Sequence, residues 1–549
     1  MEDPNRRLWD YPQLMKSLLA ILAIIGIFCF SRITARDRND WEQEIKEVLN
    51  RIKIQEDIDR RLIEETQSGL YTFEHPLVIL DPYDASPLSA LVVFRSEEPL
   101  ECSVTIIGKD TSGDIGYTIP NFRAEHWIPV YGLYPDQETC VRLEAKTLDG
   151  KVMSMAQRIK TDSLPSVHAN ASMTIRTKQP VKRQKGLYLI SFSDSEMAFD
   201  SNGDIRWLQS IETGEIALFK EGTRRNIFSV GSTRFGDALL FESSLLGRIH
   251  SVYYSPYGVH HDIQEGKNGN LLVTGSFDRD TIEDVIYEID TATGMISRVI
   301  DLRKILPKNR NEQPKTKRDW LHLNAVVWLD EEETMLISGR NQSIVMEFYR
   351  DSGIPQWILA DHQGWPIAYY PYLLKPVGLR FDWPTTQHAP EVLPDVDNNP
   401  NTMDILLFDN GKDRLQHDNF QIVGEKGEIA EASSRLAQYR VNEKEMTVEL
   451  VWQYGSARPD LYSEIRGDAD RLSSGHYIGL FDLEGSDGRS VVLEINPSNG
   501  ETVFEAEINR DGYRVECREL ITEGDLELEI GAPVRNFVPK GVVEKYDSL

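Results

Sequence analysis

Apolar positions follow three patterns in succession along the 549-residue chain. From Leu14 to Phe30 (LMKSLLAILAIIGIFCF) they are nearly continuous, interrupted only by Lys16 and Ser17. This run approaches the roughly 17–25 residues that span a bilayer. Arg6, Arg7 and Lys16 precede or enter it, and Arg32, Arg36 and Arg38 follow, so flanking charge does not set an orientation. No convincing small-x-small cleavage site follows Phe30, which favours an uncleaved anchor over a removed signal peptide. From Asp40 to Thr66 the spacing becomes helical, with Ile45, Val48, Leu49, Ile52, Ile58 and Leu62 forming an imperfect stripe. A solvated linker or stalk helix is expected there, with self-association of the stripe as the alternative.

From Phe73 the period falls to two. LVILDP, ALVVF, CSVTIIG and HWIPVYGLYPDQETCVRLEAKT read as strands and turns of a small β-sandwich ending near Thr161. A polar linker containing Pro165 follows, Asp162 to Gln179. Beyond it, units of apolar strand, charged turn and Gly turn recur at roughly fifty-residue spacing, as in propeller blades. NGNLLVTGSF, ETMLISGRNQSIVMEFY, DILLFDNG and SGHYIGLFDLEGSDGRSVVLEI are examples. The expectation is an all-β protein: a six-bladed β-propeller preceded by a small β-sandwich domain, with an N-terminal transmembrane helix. Five or seven blades are the alternatives. The divisions are 1–35 anchor, 36–70 helical stalk, 71–165 sandwich and 180–549 propeller.

Charge narrows the partners. With 60 Lys+Arg against 88 Asp+Glu, the surface repels a polyphosphate backbone, so nucleic-acid binding is not expected. An anionic substrate needs a local island of positive charge. Cysteine says less: Cys29 lies in the apolar run and Cys517 stands alone, while Cys102 and Cys140 form either a disulfide or two separate thiols.

Such an island can be assembled. His260, His322 and His388 each open the first strand of successive units, the strand that lines the centre of a propeller. In Leu321-His322-Leu323-Asn324, strand alternation puts His322 and Asn324 on one face. By the same rule His260 shares a face with Asp262, and His261 points into the blade unless a bulge swaps the pair. Arg340, on the next strand, is permanently cationic and forks onto an oxyanion. Three histidines also suit zinc, but the adjacent arginine repels a dication, and a phosphate- or sulfate-like group fits the charges better. Tyr253, Tyr254 and Tyr257 are packing residues or a stacking surface for a phenol. His362, His417 and His476 have no partner by spacing and read as surface or turn residues, and Asp409-Asn410-Gly411 reads as a turn.

The stretches DWLHLN, SGRNQS followed by WIL, HHDI followed by NGNLLV, QHA and LLFDNG resemble those of the bacterial arylsulfate sulfotransferases. The resemblance runs over residues 75 to 500 with the motifs in the same order. It implies a six-bladed propeller facing the periplasm; together with the apolar run read above, this places the chain as a single-pass protein of the inner membrane. The implied reaction is transfer of a sulfuryl group from a phenolic sulfate donor to a phenolic acceptor. It needs neither PAPS nor another cofactor and passes through a sulfated histidine. Carried over, the nucleophile falls on His388, while His322, Asn324 and Arg340 match residues that grip the sulfuryl oxygens. The remaining acid/base or sulfate-binding role falls on His260, with His261 the alternative.

Three departures stand out. Asn341 occupies the place of an expected second histidine, no cysteine pair precedes His388, and an anchor with a charged stalk replaces a simple export signal. Two rival readings remain: a sulfatase or phosphatase in which water accepts the group, and a non-catalytic propeller binding a ligand or envelope partner. The stalk leaves monomer and homo-oligomer both open.

Overall fold

A computed structural model describes residues 43 and 45–547, apart from 210–216, 219–225, 232–235, 278–279, 309, 311–317, 330–332, 379–380, 413–432, 484–487, 522 and 527. The chain is all-β in its main body. Among the described residues, 77–160 contribute five hydrogen-bonded strands, built around the long strands Ser89–Ile106 and Ile115–Tyr131. Register shifts between Arg95 and Cys102 divide the first of these, so its two halves pair with different neighbours. In the strand Glu138–Thr147 buried and exposed residues alternate, as in a sheet with one covered face. Cys102 and Cys140 are free thiols.

Among the described residues six further sheets of four or five strands follow. Their strands are often buried from end to end, as in Leu187–Phe192 and Ala238–Ser243, because each sheet is covered on both faces. One core cluster joins Leu272 and Ile286 to Val326 and Ile337 of the next sheet, and another joins Leu336 and Trp357 to Leu407 and Tyr439 of the one after. Two sheets recruit strands from far along the chain. Gly512–Arg518 pairs with Leu187–Phe192, and Met173–Lys178 pairs with Glu501–Ile508.

Two expectations are corrected. Every sheet is open at both ends of its strand order, so hydrogen bonding gives partial, unclosed sheets and not the closed six-bladed propeller that the repeat suggested. The repeat reports strands and turns of similar length; it does not specify closure. Among the described residues no helix is long and apolar enough to cross a membrane. The run from Leu14 to Phe30 lies outside those residues. The transmembrane helix, the membrane anchoring and the single-pass inner-membrane placement therefore have no spanning helix in the structure to rest on.

The stripe on the helix at residues 45–67 is neither solvated nor turned to another copy. Ile45, Val48, Leu49 and Ile52 pack on Leu239, Phe241, Ile249 and Val252. Leu62 joins a second cluster with Tyr83, Leu91 and Trp207. Polar pins fix the helix along its length. Gln55 exchanges two hydrogen bonds with the Ile249 backbone at 2.7 and 2.8 Å, Asp59 pairs with Arg248 at 2.6 Å, and Trp127 Nε1 donates to Thr66 Oγ1 at 2.7 Å.

Candidate active site

The first strands of successive sheets lie beside one another, and the residues at their leading ends enclose a cavity of about 320 Å³. Its walls carry His260, His261, Asp319, His322, Arg340, His388, Arg466 and Tyr513. Five of the six residues expected at the site thus meet in one cavity. Asn324, the sixth, is fully buried outside its lining.

Backbone conformation explains this placement. His261 and His322 have positive φ, 61° and 53°, just before the strands that begin at Ile263 and Leu323. Left-handed backbone is uncommon outside glycine and breaks the alternation of an extended strand. His322 consequently does not share a strand face with Asn324, and the register shifts between Leu323 and Ala325. Asn324 Nδ2 instead donates to the Gln387 carbonyl at 2.8 Å, fixing the backbone immediately before His388. His260 lies 3.3 Å from Glu283, whereas His261 reaches His322 and Tyr513. The positive φ at His261 thus turns the pair so that the second histidine makes the contacts along the cavity.

His388 is clamped from several sides. Thr386 and Ala389 flank it with φ of 53° and 49°, and Gln387 Nε2 donates to Ser338 Oγ and to the Ile344 carbonyl. His388 Nδ1 lies 2.7 Å from Asn410 Oδ1. Asn410 Nδ2 in turn donates to the carbonyls of Ser463 and Arg466, so the amide oxygen must face the imidazole. His388 therefore carries its proton on Nδ1, leaving the Nε2 lone pair free. Burial, reinforced by the Arg340 charge, holds this imidazole well below its ordinary 6.5, hence neutral.

His322 is held in the opposite state. Burial works against its charge, but Asp319 and Glu283, 2.8 and 2.6 Å from Nδ1, outweigh it and raise its pKa to about 9. His261 lies beside it, Nε2 to Nε2 at 2.8 Å, and is kept well below 6.5 by burial and then by the neighbouring imidazoles. Glu283 sits within 3.7 Å of all three histidines, 260, 261 and 322. Two triads, His260–His261–Glu283 and Glu283–Asp319–His322, have the compactness of a metal site. The same atoms form a carboxylate-backed proton network without one. Arg340 has no carboxylate partner among the described residues, and its buried Nε has no hydrogen-bond partner. A cation left this way in a cavity is suited to an anion.

These charge states set a stability profile. His388 and His261, neutral when folded, bind protons on unfolding below pH 6.5, so their contribution is lost on acidification. His322 contributes fully below 6.5 and loses that contribution as pH rises through about 9. Thermal melts should peak near pH 6.5 if these groups dominate, and His322→Gln should flatten the alkaline decline while leaving the acid side. An unchanged alkaline slope would reject the assignment.

The motif stretches held most of these residues, but not Glu283, Tyr513 or the role of Asn410. Glu283 opens an apolar strand run and Tyr513 comes from the last long strand, so no local spacing tied either to a histidine. Asn410 sits in a turn signal, and its side chain is bound on both ends. Among the tyrosines, Tyr253 stacks on Phe537 and Tyr257 on Phe277 and Tyr287, which are packing roles. His476 does have a partner, Glu494 at 2.7 Å, and His362 meets the Leu374 carbonyl at 2.8 Å. His417 lies outside the described residues.

A cavity that joins an unpaired arginine to neutral and charged imidazoles has the charges that suit an oxyanion. Comparison with known proteins agrees. The profile described as Arylsulfotransferase (ASST) matches residues 173–514, and that described as Arylsulfotransferase Ig-like domain matches 77–162. The chain belongs to the arylsulfotransferase family, which is consistent with transferase activity. It is 25% identical over 548 residues to the arylsulfate sulfotransferase AssT of Escherichia coli O6:H1, covering 76% of this chain and 87% of that one. It is 23% identical over 509 residues to AssT of Lelliottia amnigena, covering 71% and 81%. Among solved structures, Kluyveromyces lactis Hsv2 aligns over 71% of this chain and 97% of its own at 9% identity. Its TM-score is 0.29.

Proposed function

We propose that this chain moves a sulfuryl group from a phenolic sulfate ester to a second phenol, without PAPS, in two steps through a sulfated His388. The observation that carries the reading is the free Nε2 of a neutral, clamped His388 in the same cavity as the unpaired Arg340. In the first step Nε2 attacks sulfur and the sulfur–oxygen bond to the aryl group breaks, releasing a phenolate that takes a proton. In the second, the acceptor phenol loses its proton, its oxygen attacks sulfur and the nitrogen–sulfur bond breaks. A neutral imidazole suits both, since it attacks without prior deprotonation and leaves as a stable neutral ring. Negative charge on the sulfuryl oxygens meets Arg340 and the imidazolium of His322. Donor and acceptor phenols share a pKa of about 10, so the exchange is close to balanced and requires no outside energy.

Arg340→Ala should lower kcat/KM for an aryl sulfate about 10²–10³-fold, with Arg340→Lys recovering part of it, since one fixed donor to the reacting oxygens is removed. Steady-state kinetics with p-nitrophenyl sulfate and phenol test this, and an Ala variant at full activity would remove Arg340 from the reaction. The overall reading is tested by incubation with p-nitrophenyl sulfate alone. A protein adduct of ~80 Da on His388 that phenol discharges as phenyl sulfate supports it. Release of p-nitrophenol at a rate indifferent to phenol would make the protein a hydrolase.

A further inference from the structure

The departing phenolate needs a proton, and the acceptor phenol must lose one. Tyr513 is the cavity residue positioned to answer. Its hydroxyl lies 2.8 Å from His261 Nδ1, and its ring centroid lies 6.3 Å from that of His388. The Arg514 guanidinium, 4.5 Å from the ring centroid, covers it. The direction of the hydrogen bonds follows from the charge states. His322 is cationic, with Nδ1–H directed to Asp319 and Glu283, so its Nε2–H donates to His261 Nε2. His261, being neutral, then carries its proton on Nδ1 and donates it to the Tyr513 oxygen. Among the described residues no protein group accepts the proton of Tyr513 itself, which is left for the cavity.

We propose that Tyr513 is a catalytic residue: it protonates the departing phenolate and later deprotonates the acceptor phenol, with His261 and His322 as the relay behind it. The inference rests on the transfer reading above. As the sulfur–oxygen bond breaks, the Tyr513 proton passes to the phenolate oxygen. His261 Nδ1–H replaces it, and His322 Nε2–H moves to His261 Nε2, leaving His322 neutral. When the acceptor's oxygen attacks sulfur, its proton retraces every transfer and His322 is charged again. No proton enters from solvent in a complete cycle. The energies suit this direction. Burial raises the Tyr513 hydroxyl to about 12, so it gives up its proton only as another replaces it. His322, at about 9, is the store. Glu283 positions the relay through the histidines and touches no substrate.

Tyr513→Phe keeps the ring and removes the proton. Across aryl sulfates from p-nitrophenyl to unsubstituted phenyl, kcat/KM for sulfation of His388 should fall by about tenfold or less for the activated ester and about 10²–10³-fold for phenyl sulfate. The dependence on leaving-group pKa should steepen accordingly. A uniform loss, or none, would overturn the role. Because the Phe variant also loses a hydrogen bond to His261, a fluorinated tyrosine at position 513 supplies the second measurement. It should restore phenyl sulfate turnover and move the alkaline limb of the pH profile to lower pH, whereas an unmoved limb would make Tyr513 structural. Wild-type protein that forms no adduct with any of these esters overturns the transfer reading itself. Wild-type turnover with a donor-independent Phe variant overturns this inference alone.

Discussion

His388→Ala should abolish aryl sulfate turnover, by about 10⁴-fold or more, and should leave no sulfated protein in rapid-quench mass spectrometry. The size of the effect comes from the loss of a bond-forming atom; among the described residues no other imidazole is arranged to replace it. His322 has both nitrogens engaged, Nδ1 by Asp319 and Glu283 and Nε2 by His261. His261 spends its nitrogens on His322 and Tyr513. Among the described residues only His388 has one nitrogen held by a neutral amide and the other open to the cavity. The pH dependence gives an independent check. The imidazole stays neutral well below 6.5, so sulfation in the wild type should show no acid limb near that value. A clear limb at pH 6.5 would mean that the attacking group is an ordinary exposed histidine.

The second large effect concerns stability. Asp59→Ala should destabilise the protein by about 3–5 kcal/mol, read as a shifted denaturant midpoint, because it strands the Arg248 guanidinium. Side-chain exposure is 2% for Arg248 and 6% for Asp59, so water cannot compensate. Asp59 also accepts from Tyr83 Oη and the Gly531 amide, tying the helix to two distant segments. Asp59→Leu combined with Arg248→Met should cost less than the single change, since no buried charge is orphaned. Equal midpoints for wild type and Asp59→Ala would show that the helix does not dock as described.

That helix illustrates where sequence reasoning stopped. Its stripe was visible from Ile45 to Leu62, but an apolar stripe states only that something covers it. The covering residues, Leu239, Phe241 and Val252, are nearly two hundred positions away. The site divides along similar lines. His260, His261, His322, Arg340 and His388 stand in compact motifs and were legible with their neighbours. The choice between His260 and His261, and the departure of Asn324 from the face of His322, turned on left-handed residues that no alternation rule anticipates. Asn341, where a second histidine was expected, donates its side-chain amide to the Asp319 carbonyl, holding the loop that carries a partner of His322. The strands themselves were readable from their turns, while the way the sheets end depends on pairings between remote segments.

Those remote pairings order events during synthesis. The strand bearing Tyr513 is the partner of Leu187–Phe192, which leaves the ribosome more than three hundred residues earlier. By the time Tyr513 emerges, His261, His322 and His388 have all left the ribosome. A nascent chain can therefore gather its imidazoles while still tethered, yet cannot join Tyr513 to them until the strand Gly512–Arg518 has followed.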